Sequence, residues 1–249
     1  MPHELLRFVS LPSTNSYLRE LLVEGGSLCS PTTVVAQAQP QGRGQQGNTW
    51  YTPDGQNLTL TTYLRPHTLH PSEQFAVSEL AALSAFDTVS PYLPQPEALR
   101  IKWPNDLYYQ DNKLGGILIE HSITASLIDH SLIGIGINVN EESFPNSLPN
   151  PVSVRQIVGY ELPIEELLKR YCALIDSSLP LLDTPDGRDQ LHRSYVARLY
   201  RRDGYHLYTS QGRTFRARIE DVLPSGLISL VDEGGVRTTY AFKQLQFVL

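Results

Sequence analysis

Apolar positions along this chain recur with two periods, and the switches between them mark its elements. Residues 4–9 (Glu-Leu-Leu-Arg-Phe-Val) read as a first short strand. Ser13-Thr14-Asn15 is helix-start chemistry, and Tyr17, Leu18, Leu21 and Leu22 then form a helical stripe that Gly25-Gly26 ends. Thr33 to Gln39 reads as a strand entering a glycine loop. From Asn57 to Leu64 the alternation of Leu58, Leu60, Thr62 and Leu64 predicts a half-buried strand. Phe75, Leu80, Leu83 and Phe86, among many alanines, predict a long helix over 72–92. Arg100 to Trp103 is a short strand cut by Pro104, and Gly116–His121 and Leu127–Val139 read as two more strands. Residues 141–153 read as a surface connection. Helices follow over 163–179, with Leu167, Leu168, Tyr171, Leu174 and Ile175 as the stripe, and over about 187–197.

Near Tyr200 the period shortens for good. Short β runs at 204–209, 213–222, 227–232, 236–242 and 245–248 are separated by Ser210-Gln211-Gly212, Pro224-Ser225-Gly226 and Glu233-Gly234-Gly235, all strong turn signals. Such closely spaced strands predict a small barrel rather than an extension of the main sheet. The expected organisation is α+β, a mixed central sheet flanked by helices over residues 1–199, followed by a small β-barrel over 200–249.

Composition narrows the function classes. A net charge of −6 provides no electrostatic footprint for nucleic acid or an anionic membrane, so any anion site must be local. Cys29 and Cys172 lie far apart with no metal-ligand spacing and read as reduced thiols in a cytoplasmic protein. No signal-peptide pattern opens the chain, and no apolar run is long enough to span a bilayer.

Two motifs carry the chemistry. Gly42-Arg43-Gly44-Gln45-Gln46-Gly47 matches the dinucleotide fingerprint in letters only. That fingerprint needs a helix to start at the loop, and Asn48-Thr49-Trp50-Tyr51-Thr52-Pro53-Asp54-Gly55 cannot be a first helical turn. The glycines instead suit a mobile loop whose amides approach an anion, with Arg43 as a planar fork for carboxylate or phosphate and Trp50 as a cover for a flat ligand. A solvated surface turn fits the same spacing, and spacing alone does not choose. The second motif is Lys102-Trp103-Pro104-Asn105-Asp106, followed by Lys113-Leu114-Gly115-Gly116. A capped turn explains its Pro-Asn-Asp but requires neither the lysine nor the tryptophan. Lys113 by itself is as compatible with a solvated edge as with a site. Ile133 to Asn140 alternates glycine with isoleucine, so one face is bare, as expected where a ligand or another backbone lies against it. There is no Walker loop and no His-Glu-x-x-His.

Taken together, Ser13-Thr14-Asn15, Gln39, the Arg43 loop reaching Trp50, Lys102–Asp106, Lys113–Glu120 and Gly136–Asn140 resemble the biotin–protein ligases, in that family's order and spacing over residues 10–140. The segment after Tyr200 resembles the family's C-terminal domain. The resemblance implies a class II synthetase-like catalytic domain with an SH3-like barrel. It implies a two-step reaction: biotin's carboxylate attacks the α-phosphate of ATP, and a lysine of a biotin carboxyl carrier protein then takes biotin from the adenylate. Lys113 and Arg43 would be the catalytic cations, with Mg²⁺ on the phosphates and its protein ligands unassigned. Ser13, Thr14, Asn15, Gln39, Arg43, Gly44, Gln45, Trp50, Lys113, Gly116, Gly134 and Gly136 would surround biotin. Lys102, Trp103, Asn105, Asp106 and Asn138 would lie toward the nucleotide, Asp106 also as a metal-side or turn-stabilising carboxylate.

Step one brings two anions together, so fixed cations and positioning should supply most of the catalysis, with no side-chain nucleophile required. Gln45 departs from a basic residue common among relatives, an exchange expected to loosen hold on the adenylate. With the motif starting at Ser13, a ligase of monofunctional type is expected, without an N-terminal DNA-binding domain and without direct DNA binding. The family often forms homodimers through its central sheet. Two other readings compete: a lipoate–protein ligase or octanoyl transferase, and a non-catalytic binding module. The Trp50 loop and Lys-Trp-Pro-Asn-Asp favour biotin over the first; Arg43 together with Lys113 argues against the second.

Overall fold

The computed structural model describes residues 3–52, 55–124 and 126–248, without the side chain of Gln46. Pro53 and Asp54, at the end of the glycine-loop run, lie outside the described residues. The first part of the chain runs β1 (Glu4–Ser10), α1 (Thr14–Val23), β2 (Thr32–Ala38), β3 (Leu58–Leu64), α2 (Phe75–Val89), β4 (Leu99–Lys102), β5 (Asp106–Tyr109), β6 (Asn112–Thr124) and β7 (Leu127–Ile137). These strands form one seven-stranded sheet in the order β1-β2-β3-β7-β6-β5-β4. The β1–β2 pair is parallel and the others are antiparallel, so the sheet is mixed as expected. Three helices follow, α3 (Val154–Val158), α4 (Ile164–Ser178) and α5 (Pro185–Ala197).

Each face of the sheet has its own cover. Leu18 of α1 packs with Val34, Tyr63 and Leu132 on one side. On the other side the larger cluster joins Leu58, Leu60, Ile133, Ile135 and Ile137 to α2, α4 and α5. α1 is started by Ser13, whose Oγ accepts from the Ser16 amide, and Gly25 follows it at φ +83°. α2 is buried nearly all round because sheet, α4 and α5 enclose it.

β3 corrects an expectation. It is buried along its whole length rather than on alternate positions. Leu58, Leu60 and Leu64 face the large cluster, while Thr59, Thr61 and Tyr63 face α1, and the threonine hydroxyls are satisfied internally: Thr59 donates to the Ala36 carbonyl and Thr61 to Asn15. Alternation of leucine and threonine marks two buried faces of different polarity. Two elements are additional to those read from the sequence. β5 begins at Asp106, directly after the turn that Pro104-Asn105 dominate. α3 is a single short turn-and-a-half, held by a capping box between Ser153 and Gln156.

The last strands are β8 (His206–Ser210), β9 (Arg213–Val222), β10 (Ile228–Asp232), β11 (Arg237–Tyr240) and β12 (Gln246–Phe247). They form a separate antiparallel sheet in the order β11-β10-β9-β8-β12. This second sheet is not loose. Ala217, Ile219, Val222, Ile228 and Leu230 belong to the same apolar cluster as α2. Trp103 Nε1 donates to the Gly226 carbonyl at 3.0 Å, and Gly226, at φ +89°, lies so close to Phe75 that a Cβ would sit 2.8 Å from the ring. His192 of α5 bridges Glu79 of α2 (2.8 Å) and Asp221 of β9 (2.9 Å).

Candidate active site

On the α1 side of the sheet, β3, β7 and β6 lay side by side the rows Thr61–Gly134–Leu118 and Thr59–Gly136–Gly116. The glycines leave a floor without side chains, and two neighbours descend onto it. A Cβ on Gly134 would lie 2.3 Å from Asn15 Oδ1, and one on Gly136 would lie 2.3 Å from Trp50 Cε2. The bare face is thus already in use by protein groups: Asn15 from α1 and Trp50 from the glycine loop. A cavity opens between them, the floor and the loop. Its lining includes Ser13, Thr14, Asn15, Gln39, Arg43, Gly44, Gln45, Trp50, Lys113, Gly116, Gly134 and Gly136, together with Asn105 and Asp106.

A buried relay fixes its inner end. Thr61 Oγ1 donates to Asn15 Oδ1 and so accepts from Thr14 Oγ1 at 2.7 Å. The Thr14 amide holds Gln39 Oε1 at 2.7 Å. Both side-chain amides therefore spend their oxygens on the protein and turn their nitrogens toward the ligand space. Among the described residues, Asn15 Nδ2 is buried with no partner, as are Trp50 Nε1 and Gln45 Oε1. Orphaned buried polar atoms are costly unless something else satisfies them. Three on one cavity fit a ligand with both acceptors and donors.

Several of the loop's amides are spent inside it. Gly44 N–H donates to the Asn48 carbonyl at 2.7 Å, Gly42 N–H to Gln39 at 3.1 Å, and Trp50 N–H to Gly42 at 2.9 Å. Those amides close the loop on itself and are not free for an anion. Gly42 is small because the Trp50 carbonyl passes 2.5 Å from where its Cβ would be. Nor is Arg43 without a contact: its Nη2 lies 3.2 Å from Glu120 Oε1, and Arg19 of α1 holds both oxygens of the same carboxylate at 3.0 Å. Cationic chemistry at the mouth rests on side chains. Lys113 Nζ reaches Asp106 Oδ1 at 2.7 Å and lies 5.7 Å from the Trp50 ring centroid.

The other expected residues divide between two neighbouring cavities. Asn138 lines one, with Trp50, Tyr51, Lys113 and the 148–151 segment. Its Nδ2 donates to the Val152 carbonyl at 3.1 Å, tying that segment down. Trp103 lines the other, on the far side of Gln45 and Asn105. Asn105 Nδ2 donates to Ile117 O at 2.6 Å and so fixes the turn to β6. Lys102 is not brought to any of these three cavities; its Nζ bonds Tyr108 at 2.9 Å and stands over the Tyr108 and Phe247 rings.

Three residues joined to the site escaped sequence reasoning. Thr61 completes the relay, and its signal was there, a threonine at the alternate positions of a buried strand. Glu120 holds Arg43 and is itself held by Arg19, but a half-buried Glu and an exposed Arg 101 residues apart carry no local signal.

Comparison with known proteins places this arrangement. Residues 6–138 match the model of the biotin/lipoate A/B protein ligase family. The bifunctional ligase/repressor BirA of Escherichia coli is 33% identical over 140 residues, covering 56% of this chain and 42% of that protein. The biotin–[acetyl-CoA-carboxylase] ligase of Paracoccus denitrificans is 29% identical over 233 residues, covering 90% of each. The biotin protein ligase of Aquifex aeolicus, solved in complex with biotin and ATP, superposes with a TM-score of 0.78 over 98% of this chain and 99% of that one, at 21% identity. The alignments span only 42% and 38% of the first curated relatives.

Proposed function

Because this chain belongs to the biotin/lipoate A/B protein ligase family, we propose that it activates biotin with ATP to biotinyl-5′-AMP and transfers biotin to a lysine of a biotin carboxyl carrier protein. One observation carries the choice of acid: the buried Asn15 Nδ2, a donor with no partner among the described residues, lines this cavity, and Trp50 Nε1 is a second such donor on it. A ureido head supplies a carbonyl acceptor to such a donor. A dithiolane or a methyl end supplies none, and would leave the amide unsatisfied at a cost of about 1–3 kcal/mol. The lipoate and octanoate readings are disfavoured on that ground.

Ser13, Thr14, Asn15 and Gln39 form the head-group end of this proposed site, with the glycine floor and Trp50 enclosing the bicycle. Lys113 and Arg43, at the mouth, face the carboxylate and phosphate oxygens that repel each other when the adenylate forms. Asp106 holds Lys113 in place. The cavity lined by Asn138 and Tyr51 is the space proposed for the nucleotide. Mg²⁺ fits here as an ion held mainly by phosphate oxygens, because Asp106 is the carboxylate lining the chamber and no described group of three His, Cys, Asp or Glu could hold a metal. When bound, the ion offsets phosphate charge.

Residues 1–199 are the proposed catalytic unit and 200–249 a buttress for its Trp103 side. Among the described residues no helix is long and apolar enough to cross a membrane, and cytoplasmic residence is part of this reading. A homodimer also belongs to it: β5 pairs with β6 only as far as Gly116, so β6 beyond Ile117 has an edge for a second chain. Pyrophosphate release with Mg-ATP, comparing biotin, lipoate and octanoate, tests the whole reading. Release with biotin alone is expected. Release only with lipoate would overturn the acid, and none with any acid would overturn the activity.

A further inference from the structure

The cavity beside Trp103 adjoins the central chamber, sharing Gln45, Asn105 and Ile117 with it. Its other walls combine the apolar Phe75 of α2, Trp103, Ile119 of β6 and Phe242 after β11 with the uncharged polar Gln74, Ser78 and Ser225. Phe75 and Trp103 are buried, whereas Phe242 is 40% exposed, so the hollow is apolar at depth and open at its rim. Among the described residues that line it there is no Asp, Glu, Lys or Arg. The histidine that lines it, His121, adds no charge near neutral pH, since burial lowers its imidazole to about 4. The Asn138 cavity differs, because Lys113 lines it. A cation entering beside Lys113 meets a like charge; one entering past Trp103 meets aromatic faces, which attract it.

We propose that the Trp103 cavity admits the acceptor's lysine side chain, and that Gln45 Oε1 receives its amine where this cavity meets the central chamber. The inference rests on the ligase reading above and adds the route of the second substrate. Four methylenes of a lysine stem suit walls of Phe, Trp and Ile. An ammonium only donates hydrogen bonds, and Gln45 Oε1 is a buried acceptor with no partner among the described residues. In the transfer step the amine nitrogen bonds to the acyl carbon of the adenylate. The bond from that carbon to the phosphate oxygen breaks, AMP leaves with the electron pair, and the ammonium's two surplus protons pass to water.

Ser225 lies exposed at the rim of this cavity and outside the central chamber, so its charge can be changed without touching the reacting groups. The test starts with preformed biotinyl-AMP on the full-length enzyme and measures two probes, N-acetyl-lysinamide and uncharged hydroxylamine. Going from Ser225→Glu to Ser225→Lys should lower the lysinamide-to-hydroxylamine rate ratio about tenfold. Phe242→Ala should lower it as well, while pyrophosphate release in the first step stays within twofold of the wild type. A ratio that is the same in all variants overturns the route. Equal loss for both probes also overturns it, since a purely structural effect would do that. Wild-type enzyme that releases no pyrophosphate with biotin would remove the ligase reading itself, a different result from an unchanged ratio.

Discussion

On β7, Gly134 and Gly136 point toward α1, while Ile133, Ile135 and Ile137 point the other way into the large apolar cluster. The same eleven-residue strand thus serves two surfaces. Its isoleucine face is filled by its neighbours and is worth burial energy. Its glycine face is left bare so that Asn15 and Trp50 can reach the backbone and frame a cavity. Packing and ligand space are separated not between domains but between odd and even residues, because successive side chains in a strand point to opposite faces.

That contrast can be broken from either side. The largest effect is expected from Lys113→Ala on the chamber side: adenylate formation should fall on the order of a thousandfold, as when a transition-state charge partner is removed. Unchanged single-turnover adenylation would end the assignment. The thermal midpoint should hardly move, since both the lysine and its partner Asp106 are partly exposed and such pairs add little stability. Next is Gly136→Ala. The new methyl would strike Trp50, and biotin affinity measured by calorimetry should drop about a hundredfold, as expected for misplacement of a binding group. Native affinity in that variant would mean that the indole does not cover the ligand.

Ile135→Ala attacks the opposite face of the same strand. It should cost about 2–5 kcal/mol in denaturant unfolding and leave the dissociation constant of the folded protein near that of the wild type. A large affinity loss without destabilisation would erase the distinction between the faces. Thr61→Val is subtler: it removes one hydroxyl from the relay, leaves Asn15 Oδ1 without its donor, and should cost about 1–3 kcal/mol, shared between stability and affinity.

The smallest effect concerns pH and the far side of α2. His192 is raised to about 9, first by its hydrogen bond to Glu79, and Glu79 is itself raised by burial. Both shifts mean that the folded state binds protons more tightly than the unfolded state. The stabilisation from His192 is therefore complete below its unfolded value near 6.5 and lost as pH rises through about 9. Unfolding followed between pH 6 and 10 should show this decline in the wild type and not in His192→Gln. A decline that persists in the variant would assign it to other groups.

Much of the architecture was legible because local rules and global packing agree here. Ser13 caps α1 where Ser-Thr-Asn announced a helix, and the C-terminal strands fall between the turns marked by Gly212, Gly226 and Gly235. β5 was hidden because Pro104 and Asn105 read as a turn, and the strand that begins at the next residue owes its identity to pairing with β6. The loop's glycines could be read as an anion cradle. A further use, closing the loop so that Trp50 lands on Gly136, depends on a contact with a strand more than eighty residues away, and no local pattern carries that.

Read alone, the sequence determined which residue types this protein would bring to a site. The hydroxyls and amides of Ser13, Thr14, Asn15 and Gln39, a tryptophan, a loop arginine and a strand lysine were all identifiable, because side-chain chemistry belongs to the residue and travels with it. Tertiary structure decided which of their atoms remain available. Gln39 and Asn15 spend their oxygens on Thr14 and Thr61, Arg43 leans on Glu120, Asn105 and Asn138 each tie down backbone, and Lys102 is turned away. The division has a physical cause. Hydrogen-bonding capacity is a local property, but its satisfaction is a spatial one, set by whichever groups the folded chain brings within about 3 Å.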